Sequence, residues 1–523
     1  MMPKEAYSDY RPLLGNRYES VPLGAPVIVP QALRRRPVPM HGILFALLVV
    51  VVTLHVISPS IRHIVTSPVT SPTHATGTPL SGPLELPGQQ CRAWGDAVDA
   101  QSSYGLSFGA GHNLTVHQSR THHHNGPHER RQHVRVSGAV VVRRADAAHA
   151  AGAVDIETMT NDERIGKLIA LGVEPGQDQL LRVQIDDDIR LDDRDNDRTH
   201  GSTPCLVARI TVWVPANQET VALGFLGISA TNLDILLAEG LDLSVRVATQ
   251  LNTVSGDIVA AAALPGADSP FWLDAAGVYV HSVSGGIRGS WGLRQQLHFS
   301  TVSGDVHVSV EERGSATAEL VDLAAFDQPL EPAQPLDVGL PNLRIGTISG
   351  DITLTEMPSV AAAPGHSLAL SSKSGLIKAS AAFAGFARVN SISGGQHLAL
   401  HLLELTTPAL LETSAVSGTI KLGLSYADDA TLDFLQSHHC TVSGGIQLHY
   451  PSSWAGRIQL TAVASGHVAL LGKDVHVLPD DRPHWPPHRG NHIAGTKGVA
   501  PGEDASNVTA QTKSGSILLA FPE

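Results

Sequence analysis

The sequence is poor in cysteine, in aromatic residues and in positive charge. Only 3 cysteines occur in 523 residues, too few for a disulfide framework, and their odd number leaves at least one without a partner in the chain. They are Cys91, Cys205 and Cys440, and their pairing is open. Aromatic residues are 4% of the chain, so a core must be mainly aliphatic. The net charge of −13 removes the counterion release that drives nucleic-acid binding, and we expect no nucleic-acid partner.

Motifs for nucleophilic or nucleotide chemistry are also missing. The chain has no GxSxG elbow, phosphate-binding loop, dinucleotide fingerprint or CxxC pair, so no sequence motif indicates such chemistry. We therefore expect no cofactor and favour a protein that is not an enzyme. The 49 glycines and 33 prolines instead predict many short elements separated by turns.

One long apolar run occurs, from Gly42 to Ile57. With residues 39–41 it reaches the roughly 17–20 residues that a membrane-spanning helix needs. Three arginines at 34–36 precede it, which places the N-terminus in the cytoplasm by the positive-inside bias. We predict a disordered cytoplasmic tail over 1–38 and a transmembrane signal-anchor helix over 39–58.

This arrangement is a single-pass type II membrane protein with most of the chain extracellular or luminal. A cleaved signal peptide and a buried core helix are the alternatives. In the tail, Asp9, Leu13 and Leu14 resemble an acidic dileucine sorting signal. Such a signal would bind a sorting adaptor and direct the protein to an endosome or vacuole, whereas the alternative is an inert solvated tail.

Residues 59–90 are rich in Ser, Thr and Pro and predict an extended stalk. Residues 91–204 are expected to form a β-rich capping region with a His-rich and an Asp-rich loop. Both loops are interpreted as solvated segments rather than metal sites, because neither has the spacing of a ligand set. Asn113 and Asn507 begin glycosylation sequons, which suits a luminal or extracellular glycoprotein.

The strongest pattern is an internal repeat built on Ser-Gly (SG) pairs. Seven of the nine spacings between successive serines are 19–29 residues, and the second residue after the glycine is aliphatic in every copy except that of Gln396. Repetition at such spacing is typical of stacked repeat architectures. The ten pairs are Ser255-Gly256, Ser284-Gly285, Ser303-Gly304, Ser349-Gly350, Ser374-Gly375, Ser393-Gly394, Ser417-Gly418, Ser443-Gly444, Ser465-Gly466 and Ser514-Gly515.

Each pair is expected to form a turn between short strands. Glycine would allow a positive φ, the serine hydroxyl would bond to backbone nearby, and the following aliphatic residue would point inward. A coil of twenty-odd residues cannot bury its apolar face alone but can do so by stacking on its neighbours. We therefore predict an all-β fold with a β-solenoid over 205–523. A β-sandwich or meander that favours SG turns is the alternative.

The repeats, preceded by the run Thr211 to Pro215, resemble those of an adhesin-like family of β-helical, largely uncharacterised proteins with membrane-anchored fungal members. The resemblance covers about 205–523 and implies a β-helical fold. Together with the predicted membrane span, it leads us to favour a membrane-tethered binding or structural module for a glycan or protein ligand. Three residues depart from the repeat, namely Gln396 and, before the serine, Lys373 and Lys513.

β-Helical scaffolds also carry polysaccharide-cleaving enzymes, so the acidic residues after the SG pairs need an explanation. Asp257, Asp305 and Asp351 follow their pairs directly, but most other copies have no carboxylate there. We interpret these residues as turn caps. Paired carboxylates in an open groove would favour an enzyme, a groove without them favours the binding module, and a vacuolar or endosomal scaffold is a third hypothesis.

Overall fold

Strands dominate the part of the chain that the computed structural model describes. These residues are 98–121, 131–160, 165, 169–186, 188–190, 204–215, 222–262, 271–312, 340–357, 365–403, 408–426, 434–464, 466–479, 491–498 and 505–522. They contain 33 β-strands and one 3-10 turn, Ala147–His149, and the all-β class is confirmed. No helix within these ranges is long and apolar enough to cross a membrane. The tail, span and stalk predicted over 1–90 lie outside the described residues.

The first eleven strands are β1 (Val98–Gly105), β2 (Gly109–Thr121), β3 (Arg131–His133), β4 (Arg135–Arg144), β5 (Ala153–Thr160), β6 (Ile169–Glu174), β7 (Asp178–Asp186), β8 (Asp188–Arg190), β9 (Cys205–Val214), β10 (Ala222–Ala230) and β11 (Asp234–Ala238). The next sixteen are β12 (Asp242–Thr253), β13 (Ile258–Ala262), β14 (Trp272–Ser282), β15 (Ile287–Leu293), β16 (Gln296–Thr301), β17 (Val306–Glu312), β18 (Asn342–Thr347), β19 (Ile352–Met357), β20 (Ser367–Ser372), β21 (Ile377–Phe383), β22 (Phe386–Ser391), β23 (Gln396–Leu402), β24 (Ala409–Ser417), β25 (Ile420–Tyr426), β26 (Leu435–Ser443) and β27 (Ile446–His449). The last six are β28 (Gly456–Ala462), β29 (Val468–Leu471), β30 (Val475–Val477), β31 (Asn491–Lys497), β32 (Ser506–Ser514) and β33 (Ile517–Ala520).

Two large sheets contain all of these strands except β3 and β8, which pair with each other. Sheet A has the order β1-β5-β9-β4-β11-β13-β15-β17-β19-β21-β23-β25-β27-β33-β29. Sheet B has the order β30-β31-β28-β32-β26-β24-β22-β20-β18-β16-β14-β12-β10-β2-β7-β6. Strands β4 and β5, from the predicted capping region, pair with β9 inside sheet A.

Each SG turn joins a strand of sheet B to the next strand of sheet A, and we call such a pair of strands a rung. The ten rungs are β12–β13, β14–β15, β16–β17, β18–β19, β20–β21, β22–β23, β24–β25, β26–β27, β28–β29 and β32–β33. Neighbouring rungs pair in parallel and in register, as Ile258 with Ile287 and Val306 with Ile352 illustrate.

The rungs stack in chain order with one exception. The last rung of the chain, β32–β33, lies between β26–β27 and β28–β29. At three of the four ends of these described sheets the outermost pair is antiparallel: β1 with β5, β6 with β7, and β30 with β31. The parallel ladder therefore does not extend to these three ends.

The core between the sheets consists mainly of aliphatic side chains. Ile258, Val306, Ile352 and Ile446, all two residues after an SG glycine, are each 0% exposed, which confirms their predicted inward direction. Gln396 occupies the same position and is also fully buried. Its side-chain amide donates to the Ser414 carbonyl oxygen at 2.6 Å, so a polar residue is accommodated without turning the strand over.

The SG glycines are required by close approach between rungs. None of the ten has a positive φ, so the expected left-handed turn is wrong. A Cβ on Gly350 would instead lie 1.9 Å from the carbonyl oxygen of Gly304 in the preceding rung, and one on Gly444 would lie 2.0 Å from that of Gly418. Any side chain at these positions would force neighbouring turns apart.

The serines bond between rungs rather than within their own turn. The amide of Ser349 donates to the Val302 carbonyl at 2.9 Å, and its hydroxyl reaches the same oxygen at 3.2 Å. Ser284 repeats this arrangement with the Val254 carbonyl. The SG pair thus joins neighbouring rungs. Its glycine allows close approach, and the amide and hydroxyl of its serine both donate hydrogen bonds to the preceding rung.

A second hydroxyl, two residues before the SG serine, has a role that the sequence analysis missed. Thr347 Oγ1 accepts from the Gly350 amide at 2.9 Å and donates to the Gly304 carbonyl at 3.4 Å. Thr or Ser occupies this position in eight of ten copies, a signal that was present in the sequence. These residues are Thr253, Ser282, Thr301, Thr347, Ser372, Ser391, Thr441 and Thr512.

The residue directly before the SG serine points to solvent. Val302 is 43% exposed and Ile392 is 50% exposed. Lys373 and Lys513 occupy the same position and are exposed too. These lysines are therefore compatible with a regular rung, because the position makes no demand for an apolar side chain.

Candidate functional site

The outer face of sheet A brings together the third residue after each SG glycine. Because the rungs are in register, these side chains form one column that runs across the strands. Lys378, His397 and Lys421 are consecutive in it, and we call them the basic column. In stacking order the whole column is Val259, Arg288, His307, Thr353, Lys378, His397, Lys421, Gln447, Leu518 and Ala469.

A second outer column, two residues further along each strand, is made of small side chains. Ser380, Ala399 and Gly423 lie side by side and are exposed. Short side chains beside the long ones of the basic column leave a shallow groove of about 580 Å³, lined by residues of the five strands β19, β21, β23, β25 and β27. At a strand spacing of about 4.8 Å, the groove is about 19 Å long.

The groove carries positive charge without acidic residues. Its fourteen lining residues include Lys378, Lys421, His397 and His449 but no Asp or Glu. Neither lysine forms an ion pair with the described part of the chain. The two ammonium groups are therefore available to a ligand.

Carboxylates occur instead at the turns of earlier rungs, where they cap backbone amides. Asp257 Oδ1 accepts from the Gly286 amide at 2.7 Å, and Asp351 Oδ1 accepts from the Leu376 amide at 2.8 Å. Each bond crosses to the following rung. Burial raises the pKa of Asp234, which accepts from the Asp257 amide at 2.8 Å, and the Asp257 carboxylate raises it further. The interpretation as caps is supported, with the bonds running between rungs.

The carboxylates thus stand outside the groove. Two-carboxylate glycoside hydrolysis needs a pair of acids on either side of the sugar bond, and the lining residues supply none. The geometry of this groove suits binding of a ligand and offers no acid–base pair to cleave one.

A separate cluster surrounds Trp213 in β9. The imidazole of His149 stacks on the indole with centroids 4.3 Å apart, and the Arg143 guanidinium lies 4.9 Å from a Trp213 ring centroid. Trp213 Nε1 donates to Asp155 Oδ2 at 2.7 Å, and His149 lies 3.0 Å from the same oxygen. Asp146 caps the short turn that carries His149. These contacts fix the turn against sheet A, and we assign the cluster a structural role.

The His-rich and Asp-rich segments are only partly described. His112 and His117 lie in β2 and His133 in β3, so these three belong to strands rather than to the expected loop. His122–His124, His128 and Asp192–Asp197 lie outside the described residues. Among the residues that are described, no group of three or more His, Cys, Asp or Glu could hold a metal ion.

The two sequon asparagines are both in strands. Asn113, in β2, donates from Nδ2 to Asp178 Oδ1 at 2.6 Å, and Asn507, in β32, lies in register between Gln436 and Arg457. Glycosylation at either remains a prediction.

The cysteines differ from one another. Cys205 is disulfide-bonded, and Cys91 lies outside the described residues. Cys440 is a free, exposed thiol on the outer face of sheet B. Partial burial, with a smaller contribution from Glu412, raises its thiol pKa.

No family model and no curated protein matches the chain. Some solved structures of candidate adhesion proteins do match the chain. A candidate cell adhesion protein from Clostridium sporogenes has 6% identity and a TM-score of 0.14, covering 81% of this chain and 100% of its own. Candidate adhesins from Parabacteroides distasonis and Parabacteroides merdae each have 9% identity and cover 68% of this chain. Their TM-scores are 0.25 and 0.23, and 98% and 96% of their own chains are covered. TM-scores this low support no inference about the function of this protein.

Proposed function

We propose that this protein is a membrane-tethered, non-enzymatic binding module similar to adhesins. Its rungs would form a β-solenoid on the extracellular or luminal side, and the groove on sheet A would contact the ligand. The observation that carries this proposal is the groove, which has no carboxylate in its lining and contains two lysines, Lys378 and Lys421, that form no ion pair with any described residue. A rigid stack of parallel strands suits presentation of such a surface, because its side-chain columns are fixed by register.

The membrane tether is supported by the apolar run of 42–57 and by the arginines that precede it. Full-length protein with a C-terminal tag should resist alkaline extraction from membranes, and the tag should be shielded from protease in sealed vesicles. Extraction into the soluble fraction would overturn the tether. Sorting by Asp9, Leu13 and Leu14 is tested separately, because Leu13→Ala with Leu14→Ala should then shift the protein to the cell surface.

Ligand binding is tested with full-length protein in lipid nanodiscs, screened on glycan arrays and on extracellular proteins. A groove-filling variant, Ala399→Trp, serves as the control, since Ala399 is exposed in the floor of the groove. Binding that this variant weakens supports the proposal. Binding that it leaves unchanged would remove the groove from the site, and cleavage of an array member would favour an enzyme instead.

A further inference from the structure

The charge and shape of the groove point to a linear acidic polysaccharide as its ligand, lying across the strands along the stacking direction. The shared chemistry is a sugar chain that carries carboxylate or sulfate groups at regular intervals. This inference rests on the proposed function, which it narrows to one ligand class. Three features of the described residues carry it: the spacing of the cations, the small-residue floor and the position of the acids.

The cations repeat along the stack. Lys378 and Lys421 lie on β21 and β25, two strands apart and in the same column, with His397 between them. Two strand spacings put the two lysines about 10 Å apart. The lysines are exposed and lack a carboxylate partner among the described residues. A polymer with repeated anions can place successive charges on the two ammonium groups while both lysine side chains stay extended.

The floor of the groove accepts a chain of rings. Ser380, Ala399 and Gly423 place a hydroxyl, a methyl group and bare backbone beside the basic column. Polar groups at the two ends of the groove, from Thr353 and Gln447, can bond to sugar hydroxyls. The floor therefore runs parallel to the cations, which is the geometry that an extended polymer requires.

The acids limit where a polyanion can lie. Asp257, Asp305 and Asp351 occupy the turns of earlier rungs, while the corresponding residues beside the basic column are the uncharged Leu376, Gly395 and Thr419. Beyond Gln447 the whole column continues with the apolar Leu518 and Ala469. Positive charge without neighbouring acids is thus concentrated on the rungs from β20–β21 to β24–β25. On the earlier rungs Arg288 and His307 share the surface with Asp257 and Asp305, and beyond Gln447 the surface is apolar.

Single-stranded nucleic acid is the competing polyanion, and the groove disfavours it. Proteins that bind single strands stack the bases on aromatic side chains, and no Phe, Tyr or Trp lines the groove. The net charge of −13 acts at long range on every polyanion alike, so the missing aromatic platform is the feature that separates the two. Sugar rings that carry anions need the lysines and hydroxyls but no aromatic platform.

The test uses full-length protein in nanodiscs and four probes: polygalacturonate for carboxylate, heparin for sulfate, dextran as a neutral chain and oligo(dT) as a nucleic acid. We expect polygalacturonate or heparin to bind, with affinity that falls as salt rises. Removing both groove cations, in Lys378→Gln with Lys421→Gln, should weaken binding about tenfold, because two exposed ion pairs are lost.

The matched control removes the same charge elsewhere. Arg246→Gln with Lys513→Gln changes two exposed cations in strands β12 and β32 of sheet B, and it should leave affinity within about twofold. Equal effects of the two double variants would overturn the inference, as would binding of oligo(dT) alone or of neither acidic glycan. Binding of dextran or of a protein that Ala399→Trp blocks would leave the proposed function in place while removing the acidic ligand. Failure of every probe and every screened protein would remove both.

Discussion

Two adjacent glycines of one turn should respond very differently to a methyl group. A Cβ on Gly444 would lie 2.0 Å from the Gly418 carbonyl oxygen, whereas one on Gly445 has its nearest neighbour, the Ser516 carbonyl oxygen, at 3.6 Å. Gly444→Ala would therefore push two rungs apart by about 1 Å, enough to lose a large part of their contact energy. Gly445→Ala requires no movement.

The cost follows from the contacts at this turn. The Gly418 amide donates to the Ser443 carbonyl and the Ile420 amide to the Gly445 carbonyl, both across the gap that the methyl group would open, and losing both bonds costs about 1 kcal/mol each. Overpacking adds about 1–3 kcal/mol, so Gly444→Ala should lower the free energy of unfolding by about 3–5 kcal/mol. Gly445→Ala should change it by less than about 1 kcal/mol. Urea unfolding followed by circular dichroism measures both. Equal losses would refute close approach as the reason for the SG glycines.

Three further changes probe the rungs by the same measurement. Thr347→Val removes the acceptor of the Gly350 amide and should cost about 1–3 kcal/mol, which Thr347→Ser should largely restore; no loss in the valine variant would contradict this role. Val302→Lys, which copies Lys373, should change stability by less than about 0.5 kcal/mol because the position is exposed, and a large loss would show that the side chain is packed. Burial lowers the pKa of His439 to about 3, so only the unfolded chain binds its proton between about pH 6.5 and 3. Stability should be full above pH 6.5 and fall on acidification, by about 2 kcal/mol from this group at pH 5, and the slope should flatten in His439→Gln.

The local pattern predicted the strands and the inward residues well. An aliphatic residue two positions after each glycine depends only on its own rung, and Ile258 and Ile352 are buried as expected. The turn glycines were predicted at the right places for the wrong reason. Their constraint comes from the neighbouring rung, as at Gly350 against Gly304, and a single turn viewed alone cannot show it.

The groove and the stacking order could not be predicted because both depend on which rungs are neighbours. Thr353 and Lys378 are 25 residues apart in the chain yet adjacent in sheet A. The insertion of β32–β33 before β28–β29 has no local signal either. Writing down the third residue after each SG glycine would have exposed the basic column, but only under the assumption that successive rungs are in register.

Register is the claim on which the column, the groove and the proposed ligand all depend, and disulfide trapping measures it most directly. In a Cys440→Ser background, Thr353→Cys with Lys378→Cys places two cysteines at paired positions on adjacent strands. Their Cα atoms are about 4.8 Å apart. Thr353→Cys with His397→Cys places them two strands apart, at about 10 Å, beyond the roughly 7 Å limit for a disulfide. Mild oxidation should crosslink the first pair, and peptide mass spectrometry should find little of the second. Equal trapping of both pairs, or trapping of the second alone, would contradict the stacked register.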